Sequence, residues 1–192
     1  DWYIGNARIF KGSEVKKLWR GGEVESNDLS LIYEKMRHFE DSVKMQKIDI
    51  ETWLVGDILA KADKMTMAHS LELRVPFLDT KVWQLSSQLP SNFKWRAETT
   101  KYILREAFKS LLPESTRNRK KLGFPTPIRN WFTAERQDLY DLILDNSYIK
   151  SHFDTEMIEK LVREHVSKQA DHSRKIYLFL LLAIWYNTFI KA

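Results

Sequence analysis

Lys61-Ala62-Asp63-Lys64-Met65-Thr66-Met67-Ala68-His69-Ser70-Leu71-Glu72-Leu73-Arg74-Val75-Pro76-Phe77-Leu78-Asp79 is the densest mixture of charge and apolar packing in the chain. A solvated helix face would be more uniformly polar. A core segment would hold fewer charges, because a buried charge is costly unless paired. The interleaving suggests paired ions at the edge of a cleft, although an ordinary helix end with a surface ion pair fits the stretch alone. Pro76 disfavours helix at the residue before it. Asp79 stands where an N-cap would start the next helix.

Outward from this stretch the chain reads as helix after helix. Ile50, Trp53, Leu54, Ile58 and Leu59 recur at helical spacing from Asp49 towards Met67, with Asp57 and Lys61 one turn apart on one face. Upstream, Ser13 caps a short helix through Trp19, which Gly21-Gly22 ends. A start at Ser26 or Asn27 leads a helix carrying Leu29, Ile32, Tyr33, Met36 and Phe39 to about Met45. Downstream, Asp79 caps a helix holding Val82, Trp83, Leu85 and Leu89, closed by Pro90; Ser91 to Ala97 is a loop. Thr99 or Thr100 caps Lys101 to Lys109, with Ile103, Leu104, Ala107 and Phe108 inward, and Pro113 opens a short turn of helix. Thr133 caps a helix through Leu144, Thr155 caps Glu156 to about Lys168, and Asp171 or Ser173 caps the last, to about Ile190. Strand signals are few, so the expected class is mainly α: a single helical segment over residues 1–192.

Composition sets the limits. With 192 residues, 43% hydrophobic and 30% charged, the chain is globular and of one-domain size. The net charge of +5 is spread out; only Arg117-Asn118-Arg119-Lys120-Lys121 forms a local basic knot. Nucleic-acid binding is therefore not expected. The absence of cysteine excludes a disulfide framework and a thiol nucleophile within these residues, and fits a cytoplasmic setting. Asp1-Trp2-Tyr3 has no basic leader region, and the start without Met suggests a processed or excised segment. The apolar run Ile176–Ile190 is shorter than the ~20 residues a membrane span needs, so a buried helix and no membrane association are expected. His38, His69, His152, His165 and His172 show no ligand spacing, and no metal site is expected from this chain's own residues.

Three features could carry chemistry. In Arg119-Lys120-Lys121-Leu122-Gly123-Phe124, cations precede a glycine. Such a loop suits a lysine that meets phosphate and neutralises the charge of a departing nucleotide group; a solvated surface loop is the plainer reading. Lys101 lies in the first turn of a helix, where the dipole opposes a cation unless an anion is shared with the helix amides. The plainer reading there is an exposed lysine. Asp57 and Lys61 either decorate a helix or line a cleft. Asp63, Glu72, Arg74 and Asp79 are assigned to structure, pairing across the turn to hold a cleft wall.

Taken together these elements are specific. Asp63 through Asp79 closely resembles the signature of the asparagine synthetase C-terminal domain. Thr100-Lys101-Tyr102-Ile103-Leu104-Arg105 is similar to that family's next block, and Leu112-Pro113 with Arg119-x-Lys121-x-Gly123-Phe124 to the one after it, in the right order. The closing apolar helix with Trp185 is similar to the family's end. The resemblance implies the helical carboxy-terminal part of an α/β, adenine-nucleotide α-hydrolase-like (pyrophosphatase-loop) synthetase domain. It implies adenylation of aspartate with ATP and Mg2+, then attack by ammonia released from glutamine by a glutaminase domain of the same chain. It implies catalytic roles for Lys121, Lys101 and Asp57, and substrate- or pyrophosphate-facing roles for Lys61 and Arg119. A homodimer is a further expectation.

The departures are equally informative. The Ser-Gly-Gly-x-Asp nucleotide loop is missing, as is the glutaminase domain with its N-terminal Cys. ATP and Mg2+ are therefore expected to bind mainly to residues outside this sequence, and the chain alone is expected to be inactive. A related amidotransferase, a lactam-forming synthetase and a non-catalytic helical interaction module stay open as alternatives.

Overall fold

The computed structural model describes residues 3, 5, 8–22, 29–120, 123 and 126–191. In chain order the helices are α1 (Gly12–Leu18), α2 (Ser30–Lys35), α3 (Asp41–Asp49), α4 (Ala60–Met67), α5 (Thr80–Gln88), α6 (Ser91–Lys94), α7 (Tyr102–Ala107), α8 (Glu114–Arg117), α9 (Ile128–Trp131), α10 (Gln137–Leu144), α11 (Ser147–His152), α12 (Thr155–Val166) and α13 (Ser173–Phe189). A π-helical stretch, Ile50–Leu59, joins α3 to α4, and one 3-10 turn spans Pro76–Leu78. The described strands are β1 (Trp95–Arg96) and β2 (Thr99–Thr100), an antiparallel pair. The fold is mainly helical, as the periodicity leads one to expect.

The chain divides into two compact units. The first holds Asp1–Asn6 and Leu29–Gly123; the second holds Ala7–Asp28 and Phe124–Ala192.

The second unit has a conventional core. Leu18, Phe132, Tyr140, Ile143, Ile149, Ile158, Ile176, Phe179 and Ala183 are all buried in one cluster. Each buried Leu, Ile or Phe side chain contributes roughly 1.5–3 kcal/mol. The N-terminal strap is stitched to it by Trp19 paired with Phe153, by Arg20 N donating to the His152 carbonyl at 2.8 Å, and by Asp154 N donating to the Leu18 carbonyl at 2.8 Å. Asp154 then caps α12 through the Met157 amide at 2.9 Å, one residue earlier than Thr155. The Lys175 ammonium donates to Glu14, closing α1 onto α13. Asn146, itself buried, caps α11 and donates to Ala183 O and Asn187 Oδ1 of α13.

In the first unit Tyr33 donates to the Tyr3 carbonyl at 2.7 Å, and the Tyr3 hydroxyl donates to both oxygens of Asp49. Burial first, and then the bond to Asp49, pushes the Tyr3 hydroxyl up to about 12. Gly5, at φ +97°, lies against Thr52 and Asp49. Its left-handed conformation suits a residue without a Cβ.

Several local expectations change. The helix expected to run to Met45 breaks at Met36–Glu40 into α2 and α3; its start at Ser26 or Asn27 lies outside the described residues. Thr133 does not cap α10, whose helix begins at Gln137; the Thr133 carbonyl instead accepts from Tyr140 at 3.1 Å. The loop expected after Pro90 is α6 plus the hairpin β1–β2. Ala107 and Phe108 are exposed, not inward. The final helix is half-buried: Ile176, Phe179, Leu180 and Ala183 face the core, while Leu178, Leu181, Trp185 and Phe189 are exposed. No helix among the described residues is long and apolar enough to cross a membrane.

Candidate functional site

The candidate residues described here belong to the first unit, and the local fold shows why they sit as they do. Asp57 lies in the π-wound stretch, and such windings are frequent at functional sites. Its carboxylate accepts the Trp53 indole N–H at 2.9 Å and faces the Lys61 ammonium at 3.7 Å. Both charged groups are open to solvent.

The opening signature resolves into three devices. Asp63 is exposed at the first turn of α4. After Met67 the chain turns through Ser70 at φ +57°. Glu72 and Arg74 pair with each other at 2.6 Å, fully at the surface. Asp79 Oδ1 then accepts from the Lys81 and Val82 amides and caps α5, as read from the sequence. Glu72 and Asp79 thus reach partners two or three residues away, and among the described residues no ion pair crosses the turn.

Lys101 departs from the expected helical first turn. It is the residue that precedes α7, held left-handed at φ +58°, ψ +34°. Ala97 and Glu98 in the adjoining hairpin turn are also at positive φ. A left-handed residue with a Cβ costs about 1–2 kcal/mol, and such strain collects at functional sites. The Lys101 ammonium is exposed and has no hydrogen bond or ion pair with a described residue. Arg119 follows α8, its side chain likewise exposed and unpaired among the described residues. Lys121, Leu122 and Phe124 lie outside the described residues.

Two participants escaped the sequence reading. Trp53 stands four residues before Asp57, a spacing that could have flagged it. Arg105 donates from Nε to the Thr100 carbonyl at 2.9 Å and from Nη2 to the Arg119 carbonyl at 3.2 Å. Backbone carbonyls leave no mark in a sequence, so this bridge had no signal. No hydrogen bond or ion pair joins Asp57 and Lys61 to Lys101 or Arg119. Among the described residues no three His, Asp or Glu side chains converge as metal ligands. A hollow of about 550 Å3 in the second unit, lined by Arg129, Phe132, His165 and Lys168 among others, contains none of the nominated residues.

The family model for asparagine synthase matches residues 6–187. The chain belongs to the asparagine synthase family. It is 43% identical over its whole length to asparagine synthetase [glutamine-hydrolyzing] 1 of Bacillus subtilis (strain 168), of which it covers 31%. It is 35% identical to the asparagine synthetase [glutamine-hydrolyzing] of Gallus gallus over 79% of this chain and 29% of that protein. With the mouse asparagine synthetase it shares 34% identity over 53% of this chain and 18% of that protein. The chain thus spans about a third of the length of relatives that it matches over all or nearly all of its own length. No solved structure matches it.

Proposed function

We propose that this chain is the helical carboxy-terminal part of the synthetase domain of an ATP-dependent, glutamine-hydrolysing asparagine synthetase. The observation that carries the reading is the match to the family over residues 6–187, with the signature, the Lys101 block and the Arg119 loop in order. The first unit lends support. Among its described residues the fully buried large side chain is Ile48, while Met65, Leu71, Phe77, Leu85 and Leu111 are each more than 60% exposed. Soluble domains seldom leave so much apolar surface bare. An α/β nucleotide-binding layer, supplied by the rest of the synthetase domain, would cover it.

In this reading the side-chain carboxylate of aspartate attacks the α-phosphorus of ATP. The bond to the bridging oxygen breaks, giving an acyl-adenylate and pyrophosphate. Ammonia from glutamine then attacks the acyl carbon and AMP leaves, giving asparagine. The chain's own donors suit the phosphate side: Lys101, Arg119 and Lys121 are cations that offset charge growing on the departing pyrophosphate. Asp57 and Lys61 serve as acidic and basic cleft residues. Mg2+ would screen the phosphate charges and in this reading would be held chiefly by the nucleotide-binding part of the domain.

The test is aspartate-dependent exchange of pyrophosphate into ATP. The full-length protein is expected to catalyse it and this chain alone is not. Turnover by the isolated chain, or none by the full-length protein, contradicts the reading.

A further inference from the structure

We infer that Arg105 is a positioning residue that clamps the two phosphate-facing segments into one unit, an inference that rests on the adenylation reading of Lys101 and the Arg119 loop. The guanidinium is a planar fork whose donors leave at fixed angles. One arm, Nε, holds the Thr100 carbonyl at 2.9 Å; the other, Nη2, holds the Arg119 carbonyl at 3.2 Å. Thr100 immediately precedes Lys101, and Arg119 lies two residues before Lys121. Arg105 and Arg119 are fourteen apart along the chain, and α7 and α8 both lie between Thr100 and Arg119.

Three observations give the clamp a purpose. Lys101 is held in a strained left-handed conformation, so something must oppose its relaxation. The Arg105 amide donates to the Lys101 carbonyl at 3.1 Å, so one residue fixes Lys101 by its backbone and its predecessor by its side chain. Neither the Lys101 ammonium nor the Arg119 guanidinium is engaged with a described residue, leaving both cations for a ligand. Arg105 itself spends its donors on neutral carbonyls, so its positive charge is undiminished beside theirs. A lysine could not substitute: it offers a point charge on a flexible stem, without two donors at a set angle.

The experiment uses the full-length protein and aspartate-dependent ATP–pyrophosphate exchange. Arg105→Ala is expected to lower kcat by about tenfold or more, since ångström misplacement of a catalytic group costs up to about a hundredfold. KM for aspartate is expected to stay within about twofold, because binding outside the transition state is untouched. Arg105→Lys keeps the charge and is expected to stay within about threefold of Arg105→Ala. Should the alanine variant not fold, the lysine variant carries the same comparison. In the Lys101→Ala background, Arg105→Lys is expected to cost less than it does in the wild type, because the part of the clamp that acts through Lys101 is already lost and only its hold on the Arg119 segment remains. Full activity of Arg105→Lys, or losses that multiply in the double variant, overturns the clamp and leaves a merely structural arginine. Lys101→Ala turning over at the wild-type rate overturns the adenylation reading of Lys101, and the clamp with it. A slow Lys101→Ala beside fast Arg105 variants overturns the clamp alone.

Discussion

Asp57 and Lys61 face each other at 3.7 Å across one turn, with side chains 52% and 62% exposed. That exposure limits what the pair contributes to stability. An open i,i+4 ion pair contributes about 0.3–0.5 kcal/mol, too little to explain it as a structural tie. Lys61→Ala is therefore expected to shift urea unfolding by no more than about 0.5 kcal/mol. In the full-length protein Asp57→Ala is expected to slow pyrophosphate exchange. A stability loss above about 2 kcal/mol on removing Lys61 would make the pair structural.

Lys101 separates function from stability. Glycine removes the penalty of the left-handed conformation, so Lys101→Gly is expected to raise stability by up to about 1 kcal/mol. It removes the ammonium as well, and exchange activity is expected to collapse. A variant that is destabilised, or that remains active, contradicts the reading of Lys101 as a strained phosphate-facing residue.

Asn146 ties α10, α11 and α13 together. Its Oδ1 caps the Ile149 amide at 3.1 Å, and its Nδ2 donates to Asn187 Oδ1 at 3.1 Å and Ala183 O at 3.4 Å. Asn146→Ala loses the cap and strands buried polar groups, an expected loss of about 2–4 kcal/mol in urea unfolding. Asn146→Ser keeps a capping oxygen and is expected to recover about 1 kcal/mol of it. Equal losses for the two variants would remove the cap from this account.

The Glu14–Lys175 contact sets an acid limit on the second unit. The hydrogen bond from Lys175, then that from the Lys11 amide, holds the Glu14 carboxyl below its ordinary value. The stabilisation is therefore present above about pH 4.3, the unfolded value for Glu, and is lost as pH falls through the lower folded value. The gap in thermal midpoint between wild type and Glu14→Gln is expected to be widest near neutrality and to close in acid. A gap that stays constant from pH 7 to pH 3 contradicts this role.

Much of the helical fold was legible. Asp79 and Pro113 mark their helices because a cap or a fixed φ is a property of one residue. The core face of α13 follows from spacing, but spacing does not say what covers the opposite face, so exposed Trp185 and Phe189 were read as buried. The π winding at Ile50–Leu59 was illegible because an apolar face spaced for an α-helix accommodates it too. At the site, the residue types of Lys101 and Arg119 were visible; the left-handed turn at Lys101 and the carbonyls held by Arg105 were not, since they depend on backbone meeting backbone.

The most direct measurement is glutamine-dependent formation of asparagine by the full-length protein, comparing wild type with Lys121→Ala. The account expects asparagine from the wild type and a fall of about a hundredfold or more in the variant, the scale of a lost transition-state charge contact. An unchanged rate in Lys121→Ala would contradict it.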